Sequence, residues 1–345
     1  MEIFFRVGGS LLKKRLLLAL AVTLIIGGIF FWFVDLDQVI EQLRQADWRL
    51  LAAGMGALVV GYVLLAVRWR YLLGNRPDFL PAFHATNLSN LVNSLTPIPE
   101  IAVRVLITGR GVGMSISGAT SGMLVERSLE QVMRTLAFLV ALLTGYVISF
   151  KTGSLLVNAA LILGFLILMV WLLRRAELLV AWIQVQLTRV PRLDQQRVEK
   201  VLTDLLQGLK LAGGPRQLTS SWLMSFGIWG AFFAFAYLVL LGLNIHLPVE
   251  QMVAIALLTL AVAPPSAPGM PGLYHATIVG ALSLIAGLDP VLMTAYAIMI
   301  HVLQVIPLNV LGIWGALGTD LTLRGVYQQK QAVLVEGDVQ GKGQQ

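Results

Sequence analysis

Residues 124–138 read LVERSLEQVMRTLAF, where four ionisable side chains, Glu126, Arg127, Glu130 and Arg134, interrupt an apolar run. At about 100° per helical residue they share one arc of about 100°, and their charges sum to zero. Arg127 can reach Glu130 at i+3, and Glu130 can reach Arg134 at i+4. A charge at the bilayer centre costs roughly 2.5–3.5 kcal/mol even on the mildest insertion scale, so such a stripe must face protein or water. Two chemistries fit it: an ion-pair lock between helices, or the polar wall of a path for a charged substrate.

Two further groups share that ambiguity. The first lies in AFHATNLSNLVNSLTPIPEIAVRVLITG, residues 82–109. Asn87, Asn90, Asn93, Ser94 and Thr96 precede Pro97-Ile98-Pro99, and Glu100 and Arg104 follow it. Asn87, Asn90 and Ser94 share a helical face. Free amides at the start of the second limb suit an anion such as phosphate, and Arg104 could add a bidentate contact. Asn and Ser also serve as plain glue between membrane helices. The second group, around APPSAPGMPG, comprises Ser266, Gly269, Gly272, Tyr274 and His275, with His301, Gln304, Pro307 and Asn309 farther along. Histidines beside a broken helix suit a proton-sensitive or head-group contact, or act as hydrogen-bonded interior residues. The four histidines show no HxxxH or HxxE spacing, which argues against a metal. There is no GxSxG, no P-loop and no intramembrane aspartate pair, so neither an enzyme nor a cofactor is expected.

The elements that must position these residues are set by composition. The 345 residues are 57% hydrophobic and 12% charged, half the usual charged fraction of roughly 25%. Several apolar runs reach the roughly 20 residues that span a bilayer. The absence of cysteine excludes disulfides, thiolate zinc sites and iron–sulfur clusters. The net charge of +7 fits cytoplasmic anchoring of a membrane protein. No aromatic-interleaved basic patch argues for nucleic acid.

Full spans are expected at about 16–34, 50–73, 117–150, 155–173, 219–241 and 289–317. Lys13, Lys14 and Arg15 precede the first, which is too long for a signal-peptide core and ends in aromatics instead of a cleavage site. Asp47-Trp48-Arg49 reads as an interface, and Arg68-Trp69-Arg70 as an aromatic and cationic anchor closing the second span. Residues 174–216 read as a cytoplasmic amphipathic segment or a plain helical linker, and 328–345 as a disordered tail. The two proline-broken stretches, 82–109 and 250–287, read as helical hairpins, because irregular backbone at membrane depth survives only inside protein or along a water-filled cavity.

The expected fold is therefore all-α: a polytopic bundle over residues 1–327 with about six spans and two broken or re-entrant hairpins. Most of the 25 Lys and Arg then fall on one side, which places both termini in the cytoplasm and makes the hairpins enter from opposite faces.

NLSNLVNSLTP with Glu100 and Arg104, then VERSLE at 125–130, resembles the flippase-like transmembrane domain of lysylphosphatidylglycerol synthases. Asp47-Trp48, Arg68-Trp69-Arg70 and PSAPGMPGLYHA at 265–276 fit the same pattern in order, over most of residues 40–317. The resemblance implies a cell inner-membrane protein that moves lipid between leaflets, here without the soluble aminoacyl-transferase domain. There are departures. Pro99 stands where Gly precedes the Glu, Glu130 where Asp is usual, Met270 and Pro271 interrupt a Gly-rich break, and His275 and His301 replace a Glu and an Arg.

The expected function is thus translocation of a phospholipid or isoprenoid-linked glycolipid, its head group passing Glu126, Arg127, Glu130 and Arg134 between the two hairpins. An ion-coupled carrier of a small solute, or a scaffold for a lipid-modifying enzyme, is the alternative. Besides the lipid, a second copy of the chain or a lipid-synthesis enzyme is a partner this reading admits.

Overall fold

In the computed structural model, residues 40–41, 43–95, 100–111, 116–144, 215–262, 271–285 and 288–318 are described. They form eight principal helices: α1 (Trp48–Leu72), α2 (Phe79–Leu95), α3 (Glu100–Gly111), α4 (Ile116–Leu143), α5 (Pro215–Gly242), α6 (Val249–Val262), α7 (Pro271–Gly280) and α8 (Pro290–Gly318). A π-helical turn, Ala281–Ile285, follows α7. The architecture is an all-α membrane helix bundle. The expected spans at 16–34 and 155–173, nearly all of the segment 174–216, the tail 328–345 and the backbone of both breaks lie outside the described residues.

Length and apolarity separate the helices into two kinds. Helices α1, α5 and α8 are long and apolar enough to cross a membrane. At 28 residues α4 is about 42 Å long, but its four charges interrupt the apolar run. The other four are short and pair as the prolines require: α2 packs on α3, and α6 is followed by α7. The ends of α1 and α5 are tied together. Asp47 caps α1 through Arg49 N–H at 2.9 Å, and its own N–H donates to the Gly242 carbonyl at 2.6 Å. Past the end of α5, Asn244 adopts φ 54° and donates to the Gln45 carbonyl at 2.7 Å. Asp289 likewise accepts from Val291 N–H at 3.1 Å, capping α8 ahead of Pro290.

Helices α1, α5, α6, α7 and α8 share the largest core, which runs from Leu51 through Phe235 and Ile255 to Tyr296. A second core joins α2 and α3 to α8. There Gly315 lets two backbones meet: a Cβ at that position would sit 2.8 Å from the His84 carbonyl oxygen. Against the other side of α2 and α3, Trp69, Leu73, Val105 and Met123 bring in α1 and α4. Glu126 and Arg127 of the charged stripe of α4 therefore face α1 and α3.

Candidate functional site

Helix α4 presents Glu126 and Arg127 on successive positions, with Glu130 one turn on, and α3 presents Glu100 in its first turn and Arg104 one turn later. Their meeting produces a continuous chain of opposite charges. Arg68 Nη2 of α1 lies 3.5 Å from Glu126 Oε1, and Arg104 Nη1 donates to that same oxygen at 2.7 Å. Arg104 Nη2 pairs with Glu100, and Glu100's other oxygen accepts from Arg127 Nη2. Arg127 Nη1 closes the series on Glu130 Oε2 at 2.8 Å. Three arginines and three glutamates thus alternate across three helices and sum to zero.

Burial grades along this chain. Arg68, Arg104 and Glu126 are buried, whereas Arg127 and Glu130 each retain 28% side-chain exposure. The buried end has further partners. Arg68 Nη1 donates to Ser225 Oγ of α5 at 2.8 Å, and Arg104 Nε donates to Ser89 Oγ of α2 at 3.3 Å. The Arg104 guanidinium also lies 5.5 Å from the centroid of the Trp69 ring, within cation–π range. Buried charges survive when paired and hydrogen-bonded in this way. Even so, Glu126 Oε2 and the Nε–H groups of Arg68 and Arg127 make no hydrogen bond, so the network keeps polar capacity for another group.

The exposed end opens on a cavity of about 160 Å³. Glu100, Arg104, Glu126, Arg127 and Glu130 wall one part of it, Asn90 and Asn93 of α2 and Gln304 of α8 add neutral polar groups, and Tyr62, Leu65, Phe232 and Leu308 supply the rest. At roughly 30 Å³ per water the space suits about five waters, or a small polar head group.

Of the residues singled out from sequence, Asn90, Asn93, Glu100, Arg104, Glu126, Arg127 and Glu130 converge on this cavity. Arg134 turns elsewhere: its Nη1 donates to the Ala261 carbonyl at 3.2 Å, one of the last carbonyls of α6, where a cation is favourable. Asn87 and Ser94 share a face with Asn90, yet their side chains donate to their own helix, to the carbonyls of Phe83 and Leu91. Tyr274, His275 and His301 form a separate ring cluster. Gly272 lies in the first turn of α7, and Ser266 and Gly269 lie outside the described residues. The start of α3, where an anion site was expected, carries the protein's own Glu100 in its first turn, with its carboxylate oxygens on Arg104 and Arg127.

One expectation is overturned. Arg68 and Trp69 are not an interfacial anchor: Arg68 is 1% and Trp69 0% exposed. Helices α3, α4 and α5 cover this end of α1, and the interior carboxylate of Glu126 draws Arg68 inward as its counter-charge. Arg70 does turn aside, donating to the Pro77 carbonyl at 2.9 Å. Sequence reasoning also passed over Tyr62, Ser89, Ser225 and Phe232. The available signal was that Arg68 falls inside the apolar run of α1 and not beyond it.

The family profile described as lysylphosphatidylglycerol synthase TM region matches residues 16–312. A UPF0104 membrane protein of Pyrococcus horikoshii is 24% identical over 303 residues, covering 81% of this chain and 90% of that protein. The chain belongs to the lysylphosphatidylglycerol synthase TM region family of integral membrane proteins.

Proposed function

We propose that this member of the lysylphosphatidylglycerol synthase TM region family moves a membrane lipid, a phospholipid or an isoprenoid-linked glycolipid, from one leaflet to the other. The observation that carries the reading is a polar cavity with two arginines and three glutamates from α3 and α4, lined also by residues of α1, α5 and α8, the helices apolar enough to span a bilayer. Charged groups at such depth mark substrate pathways. The head group enters the cavity while the tails, which its volume cannot admit, stay in lipid. Arg127 is the phosphate contact, because it is the most exposed arginine of the network. Arg104, buried and held by Glu100 and Glu126, positions the wall. Asn90, Asn93 and Gln304 bind head-group hydroxyls or amines. The step is transport and not bond-making. The protein sits in the cytoplasmic membrane with both termini inside.

A second reading draws on a specific observation: every charge of the six-residue chain already has a counter-charge, as a purely structural lock or scaffold would have. Purified protein in liposomes with a fluorescent phospholipid separates the two. Arg127→Ala and Glu130→Ala should each reduce lipid translocation at least about tenfold while the protein stays folded by thermal melt. Unimpaired translocation in both variants would refute the transport assignment for this wall.

A further inference from the structure

One cluster of titratable side chains has no part in the lipid path proposed above. His275 of α7 and His301 of α8 have ring centroids 5.0 Å apart, and the Tyr274 ring lies 4.9 Å from His301. His275 is buried, and Tyr274 belongs to the main core. The helices that bring these rings together are almost devoid of charge. Among the described residues of α6, α7 and α8, Glu250 is the only acidic or basic one, and it is exposed in the first turn of α6. From α4, Arg134 reaches this part of the bundle at the Ala261 carbonyl. Among the described residues, phenols also belong to this core: Tyr274, Tyr62 of α1, Tyr237 of α5, and Tyr296, whose hydroxyl lies 3.3 Å from the Ala236 carbonyl.

We propose that His275 and His301 form a one-proton site whose occupancy is coupled to the head-group cavity. Two neutral imidazoles can touch in an apolar core, but two imidazoliums cannot. With charges about 5 Å apart and an effective dielectric constant of about 20, Coulomb's law weakens binding of the second proton roughly a hundredfold or more. The pair therefore takes up one proton as a unit and refuses another. Helix α8 carries the coupling. Gln304 lies at i+3 from His301 and lines the cavity, with Tyr62 on the same wall. An imidazolium needs a hydrogen-bond acceptor that a neutral ring does without. The Gln304 carbonyl on α8 and the Tyr274 hydroxyl on α7 are two acceptors that the same helices carry. Turning the Gln304 amide toward the imidazolium changes the cavity lining. The coupling rests on the translocase reading; the shared proton does not.

Two measurements test this on the full chain. With isotope-labelled histidine, the chain's four imidazoles can be followed by NMR across pH. One ring of the pair should charge at least about two pH units above the other, and His275→Gln should return His301 to a single, independent titration. Two rings titrating together within one pH unit, unaffected by His275→Gln, would overturn the one-proton site. In liposomes holding a pH-sensitive dye, an imposed pH gradient should accelerate lipid translocation several-fold and lipid movement should carry protons. His301→Gln should move lipid at one rate with or without the gradient. Gradient-indifferent wild-type translocation, or full gradient dependence in His301→Gln, would overturn the coupling. A wild-type protein that moves no lipid at all overturns the translocase reading and the coupling with it, while the histidine titration still decides the shared proton.

Discussion

Around α2 and α3 the bundle gathers charge, with Glu100 and Arg104 tied to Arg68, Glu126, Arg127 and Glu130. Around α6 and α7 it gathers almost none, and the polar groups there are the rings of Tyr274, His275 and His301. Both regions are built from a pair of short helices joined through a proline-rich break, so architecture does not account for the difference. Counter-charge does. Helices α1, α3 and α4 each contribute to one network: Glu126 and Arg127 of α4 pair with groups on α1 and α3, and Glu130 pairs with Arg127. Among the described residues, helices α7 and α8 supply no carboxylate or guanidinium to balance a lasting charge. The first region can hold permanent ions and the second only neutral, reversibly charged rings.

The sharpest way to break this contrast is to remove the carboxylate at its centre. Glu126→Leu leaves the buried Arg68 without its counter-charge and Arg104 with Glu100 alone, and should destabilise the protein by about 3–5 kcal/mol. A chemical or thermal unfolding series in detergent measures it. Adding Arg68→Met to that variant removes the stranded charge and should recover at least about 1 kcal/mol, an interaction energy that only a shared network produces. Gly315→Val probes the uncharged contact between α2 and α8, where the added side chain meets the His84 backbone; overpacking should cost about 1–3 kcal/mol in the same assay. The smallest effect belongs to the ring cluster. His301→Phe keeps the ring and strands no ion, so it should change stability by less than about 1.5 kcal/mol. A loss comparable to that of Glu126→Leu would show that His301 carries a permanent charge and erase the distinction.

Much of the fold was legible because the bilayer imposes a simple rule. Apolar runs marked α1, α5 and α8 to within a few residues, and the prolines at 97 and 99 divided α2 from α3. Within the charged region, the neutral stripe of α4 could be read from helical spacing alone, and the Arg127–Glu130 pair followed from i+3 geometry. Arg134 was harder to place. It lies on the same arc, but its guanidinium is directed to the end of α6, a helix more than a hundred residues away in the chain. Arg68 was misread for a related reason. An arginine near the end of an apolar span looks like an anchor, and only the covering helices show it to be buried.

Types and spacings by themselves determined that this chain forms membrane helices, where two of them break, and that the charges of α4 must avoid lipid. Those conclusions follow from local rules: side-chain transfer cost, helical period and the missing amide of proline. Which charges meet was decided only by tertiary structure. The alternating chain from Arg68 to Glu130 crosses three helices, and His275 meets His301 across two. Contacts between distant segments depend on how helices pack around one another, and no period in the sequence records that.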